Sequence, residues 1–117
     1  MKIRIKGNSL RYRLSKSEVA NLRTEGFLEE FTAFGSKTLV YAVVVTDNER
    51  LSADFTGEKI VLYMPDKMID ELNTTETVGF DDHTGPVKLL IEKDFACIDN
   101  VEEDQTDKYP NPLLACK

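Results

Sequence analysis

An α+β fold is what the sequence predicts: a predominantly antiparallel β-sheet of about six to seven strands, as a sheet or partly open barrel, with two short helices. Three observations carry this. Segments in which apolar residues alternate with period two outnumber those with helical spacing. Strand and helix signals are mixed, without the regular strand–helix alternation that builds a parallel sheet. The chain has 117 residues, 41% of them hydrophobic and 31% charged, with only six Gly and four Pro. That is ordinary globular composition, and long enough to bury a core.

The elements follow in order. Lys2–Lys6 alternates polar and apolar, as do Leu10, Tyr12 and Leu14 with Arg11 and Arg13 between them. Gly7-Asn8 separates the two runs and reads as a two-residue hairpin turn. The register then places Ile5 opposite Leu10 and Ile3 opposite Tyr12 on one face, with Arg4 opposite Arg11 and Lys2 opposite Arg13 on the other. Ser15-Lys16-Ser17-Glu18 has capping-box spacing, and Gly26 is a natural terminator, so a helix is expected over about 15–25. Residues 27–34 read as a strand ending at Gly35-Ser36. Residues 38–46 are apolar on both faces, which suggests a central strand covered on each side. With Leu51–Phe55 and Lys59–Met64 they form a three-strand meander. Pro65-Asp66 opens a second helix that turns Met68, Ile69 and Leu72 inward. Thr77–Asp81 is a candidate short strand and Val87–Lys93 a strong one. The expected core comprises Ile3, Ile5, Leu10, Tyr12, Val43, Val45, Leu62, Leu89 and Ile91. No internal repeat is read. Residues 1–98 form a single domain in this reading, and 99–117 an acidic, proline-containing tail.

Charge is distributed unevenly. Residues 1–16 contain Lys2, Arg4, Lys6, Arg11, Arg13 and Lys16 and no acid, whereas the chain as a whole carries −6. A global excess of acid disfavours nucleic acid and anionic membranes as general partners. A local basic patch still acts at short range, because charges further apart than about 8 Å are screened at physiological salt. No apolar run approaches the roughly 20 residues of a membrane helix. No secretory apolar stretch follows the basic start, so a cytoplasmic location is expected.

The opening hairpin is the most informative feature. Like charges directly opposite one another on antiparallel strands are destabilising. Lys2, Arg4, Lys6, Arg11 and Arg13 are therefore the candidate surface for an anionic ligand or an unknown protein partner. The structural alternative is that Glu29, Glu30 or the acidic tail neutralises them. The other constellations are weaker. The acids between Asp99 and Asp107 lack the spacing of a calcium loop. His83 follows Asp81-Asp82 but precedes Gly85-Pro86 in an apparent turn. Cys97 has nearby Lys93 and no paired base except a distant His83. Two cysteines and one histidine do not make a zinc site. No metal or cofactor is expected, and the leaning is against an enzyme.

Two resemblances add to this reading. Met1–Arg11 (MKIRIKGNSLR), Glu92–Cys97 (EKDFAC), an acidic stretch and Pro110-Asn111-Pro112 resemble a family of small uncharacterised bacterial proteins, over nearly the whole chain. That resemblance implies identity without an activity. The first 30 or so residues are similar to the swapped-hairpin transition-regulator and antitoxin family, through Lys6, Gly7, Asn8, Ser9, Leu10, Arg13 and Leu14. Its members bind DNA as dimers through basic residues near this motif. Ser15 stands where that family usually has proline, and the long β-rich remainder departs from its short hairpin and flexible tail. The leading expectation is a non-enzymatic cytosolic interaction module. A DNA-binding dimer and a small enzyme using Cys97 or His83 are the alternatives.

Overall fold

In the computed structural model, which describes residues 1–95, strand β1 (Lys2–Lys6) turns at Gly7-Asn8 and returns as β2 (Ser9–Leu14). Gly7 has φ 55°, a left-handed conformation that glycine adopts without a Cβ penalty. The register is the expected one, with Lys2 opposite Arg13, Ile3 opposite Tyr12, Arg4 opposite Arg11 and Ile5 opposite Leu10. Helix α1 (Lys16–Glu25) starts with the expected capping box. The Glu18 amide donates to Ser15 Oγ at 3.3 Å, and the Ser15 amide donates to Glu18 Oε1 at 2.8 Å. It ends at Gly26, whose N–H donates to the Leu22 carbonyl at 2.9 Å.

The chain continues as β3 (Phe27–Ala33), β4 (Thr38–Thr46), β5 (Ser52–Thr56), β6 (Lys59–Pro65), α2 (Asp66–Thr74), β7 (Gly79–Asp82) and β8 (Lys88–Lys93). The class is α+β as expected, but the eight strands among the described residues form two four-stranded sheets and no closed barrel. Sheet A has the order β1-β2-β8-β7 and sheet B the order β3-β4-β6-β5. Four of the six strand pairs are antiparallel, and the central pair of each sheet, β2–β8 and β4–β6, is parallel. The expected meander is therefore corrected. β6 carries the buried Leu62 and Met64 and lies beside β4, while β5, exposed along its whole length, takes the edge. An apolar strand gains most from neighbours on both sides, and a short polar one is best placed where the sheet stops.

An internal repeat is also present. Residues 2–46 run hairpin, helix, hairpin, and residues 52–93 run through the same sequence of elements. Each half gives its first hairpin to one sheet and its second to the other, so the halves exchange hairpins. Equivalent backbone bonds confirm the correspondence. Lys88 N–H donates to the Asn8 carbonyl at 3.0 Å, and Val40 N–H to the Glu58 carbonyl at 2.9 Å. Gly7 matches Gly57, also at positive φ, and Leu10, Tyr12, Leu14, Val19 and Leu22 match Ile60, Leu62, Met64, Ile69 and Leu72 at constant spacing.

One core joins both sheets and both helices. Of the expected core, Leu10, Tyr12, Val43, Leu62, Leu89 and Ile91 are buried, and Ile3 and Val45 pack partly against them. Ile5 is corrected: it is 61% exposed. It sits beside the turn on edge strand β1, which has a neighbour on one side only. The boundary at residue 98 and the acidic tail lie outside the described residues.

Candidate functional site

Strand alternation turns Leu10, Tyr12 and Leu14 into the core and leaves Arg11 and Arg13 on the opposite face of sheet A. The antiparallel register brings Lys2, Arg4 and Lys6 alongside them. All five sequence-predicted cations therefore share one outer face. β8 adds a sixth, Lys88, opposite Ser9, which the sequence reading missed. The signal for it was the parallel β2–β8 pairing, a contact between distant segments that local periodicity does not contain. Leu90 lies between Arg11 and Asp81 in the middle of the face, half-buried.

Of the acids expected to meet these cations, Glu29 and Glu30 do not, and those of the tail lie outside the described residues. Glu29 pairs with Lys59 at 2.7 Å, and Glu30 with the Met1 amino group at 2.8 Å. Both thus serve other partners, because β3 lies in sheet B and not beside the hairpin. Glu92 instead faces Arg11 at 3.6 Å and Arg13 at 3.5 Å, and Asp94 meets Lys2 at 2.9 Å. These pairs are partly open to solvent, and pairs near a surface contribute about 0–1 kcal/mol each. Arg4, Lys6 and Lys88 are exposed and have no ion pair among the described residues. They form the open end of the face, next to the hairpin turn. Asn8 in that turn donates its side-chain amide to the Pro86 carbonyl, which ties it to the β7–β8 loop.

The equivalent hairpin of the second half is an internal comparison. In the places of Lys2, Arg4, Lys6, Arg11 and Arg13 it has Ser52, Asp54, Thr56, Val61 and Tyr63. The same turn and register form there without cations at these places, and Leu62 and Met64 are buried as Tyr12 and Leu14 are.

The remaining candidates are not assembled into a site. His83 is exposed in the β7–β8 loop. Its neighbour Asp82 accepts from the Thr84 amide at 2.8 Å and the Thr84 hydroxyl at 2.6 Å, and these bonds hold its carboxyl below the usual range. Cys97 lies outside the described residues. Among the described residues no group of three or more His, Cys, Asp or Glu is placed to hold a metal ion. No described helix is long and apolar enough to cross a membrane. A groove of about 480 Å³ lies between the start of α1, the end of α2 and the end of β8, lined by Leu14, Val19, Leu72, Lys93 and Phe95 among others. Of its two lysines, Lys16 and Lys93, the second is engaged, with Lys93 Nζ donating to the Thr75 carbonyl at 2.8 Å.

No curated protein and no solved structure matches the chain. A family model does match residues 1–113, and the chain therefore belongs to the family of unknown function DUF7009.

Proposed function

We propose that the chain is a non-enzymatic, cytoplasmic binding module whose outer face of sheet A takes an acidic segment of a partner protein. The observation that carries this is the internal comparison of hairpins. Five cations stand where the equivalent hairpin has none, and Arg4 opposite Arg11 costs stability. Arg4, Lys6 and Lys88 have no ion pair among the described residues and can meet carboxylates, and Leu90 supplies apolar contact beside Arg11. The net charge of −6 favours a short acidic stretch over a long polyanion, whose remaining length would be repelled. Duplex DNA is the competing ligand. Support for it comes from the exchange of hairpins between halves, an arrangement of the kind that the swapped-hairpin family is named for.

Fluorescence anisotropy with a labelled oligo-glutamate peptide and a labelled duplex separates the two. The peptide is expected to bind at low salt, weaken as salt rises, and lose at least tenfold in affinity for an Arg4→Glu/Lys6→Glu variant whose melting temperature is unchanged. A duplex that binds the wild type more tightly than the peptide, with a steep salt dependence, would overturn the acidic-segment reading. Peptide affinity unchanged in the variant would remove the hairpin as the contact.

A further inference from the structure

We infer that the chain's own acidic tail, residues 99–107, lies over the cationic outer face of sheet A and closes it until a partner's acidic segment displaces it. What the tail regulates rests on the binding reading above; that it reaches the face rests on where the chain leaves the sheet. The Asp94 N–H donates to the Leu14 carbonyl at 2.8 Å, so the chain is still held on sheet A just past β8. The Asp94 carboxylate lies 2.9 Å from Lys2 Nζ. Phe95 follows, 62% exposed, and the tail therefore starts from the border of this face.

Charge selects this occupant. Glu92 and Asp94, the last acids before the tail, already meet Arg11, Arg13 and Lys2. After Phe95 the sequence continues with Asp99, Glu102, Glu103, Asp104 and Asp107, and has no Lys or Arg before Lys108. Across the face stand Arg4, Lys6 and Lys88, exposed and without an ion pair among the described residues. The outer face of sheet B offers the tail nothing comparable. It has Ser52, Asp54, Thr56, Val61 and Tyr63 in the places of the five cations, and its Lys59 lies 2.7 Å from Glu29.

Length fits as well. Lys88 lies six residues back from Asp94, about 20 Å at roughly 3.3 Å per strand residue. Lys6, like Lys88, stands opposite Ser9 at the far level of the face, and Arg4 is nearer. A chain reversal takes about two to five residues, which leaves 101–107 to run back over the sheet. Those seven residues near full extension span about 23 Å, enough to carry Glu102–Asp107 from the level of Lys2 to that of Lys6. Being tethered, the tail competes at an effective concentration on the order of millimolar. A tail seated on about two thirds of the molecules leaves about one third open, and weakens partner binding about threefold.

Amide NMR of the full chain at low salt reads the contact without any ligand. Between the wild type and Glu102→Gln/Glu103→Gln/Asp104→Asn/Asp107→Asn, shift differences are expected at Arg4, Lys6, Lys88 and Leu90, and they should shrink as salt rises. Differences confined to the substituted segment would overturn the inference, and differences that grow with protein concentration would assign the tail to a neighbouring copy and overturn it too. Anisotropy with the labelled oligo-glutamate peptide reads the consequence. The neutralised tail should tighten peptide binding about threefold or more. Asp47→Asn/Glu49→Gln/Glu58→Gln/Glu76→Gln makes the same change in net charge at exposed acids outside the tail, and should give less than half that gain. Equal gains in the two variants, or a wild type that binds the peptide as tightly as the neutralised tail does, would mean that the tail does not compete. A peptide that binds neither protein while the shift differences remain would sink the acidic-partner reading alone, and leave the face closed by the chain's own tail.

Discussion

Tyr12 shows how closely the two sheets approach. Its ring is fully buried in the core from the β2 side, with the Ala42 backbone of sheet B near its hydroxyl. Burial pushes its pKa above the usual tyrosine value and outweighs the opposing effect of the Ala42 backbone. The hydroxyl oxygen makes no hydrogen bond of ordinary geometry. A buried polar group without a partner costs stability, and replacing it by an apolar group of the same shape is neutral or favourable. Tyr12→Phe is accordingly expected to be between equally stable and about 2 kcal/mol more stable in urea unfolding. A loss of more than about 1 kcal/mol would mean that the hydroxyl is held by a bond after all. Leu62 stands at the equivalent place in the second half, with no hydroxyl, in an equally buried environment.

At the scale of elements, the start of α1 is where local chemistry is most concentrated. Glu18 caps the Ser15 amide and also pairs with the Met1 amino group, so it links β1 to the helix. Burial on its own would raise the Glu18 pKa, but hydrogen bonds from the Met1 amino group and Ser15, with the positive charge of the former, outweigh it and hold the pKa below its ordinary 4.5. A carboxyl with a lowered folded-state pKa adds stability that is fully present above its unfolded value and disappears as pH falls through the folded one. Unfolding free energy should therefore decline as pH drops below about 4.5. In Glu18→Gln that part of the decline should be missing, at a cost near neutral pH of under about 1 kcal/mol. Parallel pH profiles for the two proteins would show that the charge of Glu18 is not felt by the fold.

This helix and the first hairpin were fully legible in the sequence, because turn glycine, capping box and alternation are encoded within a few residues. The neighbours of β2 were not. Nothing local in Lys88–Lys93 announces that it pairs in parallel with Ser9–Leu14, and so Lys88, Glu92 and Leu90 were absent from the expected site. Glu29 and Glu30 follow the hairpin closely in sequence, whereas among the described residues strand order assigns its neutralisation to Glu92 and Asp94.

For the whole molecule, the duplicated topology explains both what was readable and what was hidden. The inward positions of the two halves match in character, Leu10 with Ile60 and Val19 with Ile69, since both must fill the same core. The outward positions have diverged, Arg11 against Val61 and Arg13 against Tyr63, and these differences mask the repeat when the sequence is read by eye. They also give the protein two unlike surfaces on a nearly symmetric frame, a cationic one on sheet A and an apolar one on sheet B. The central claim is that the cations of sheet A serve binding and not folding. Its most direct test is to give the first hairpin the outward residues of the second, as Lys2→Ser/Arg4→Asp/Lys6→Thr/Arg11→Val/Arg13→Tyr, and to measure unfolding free energy and oligo-glutamate affinity together. The account predicts stability within about 1 kcal/mol of the wild type, given the small worth of the near-surface pairs removed, with peptide binding abolished. A variant that fails to fold, or one that binds the peptide undiminished, would contradict it.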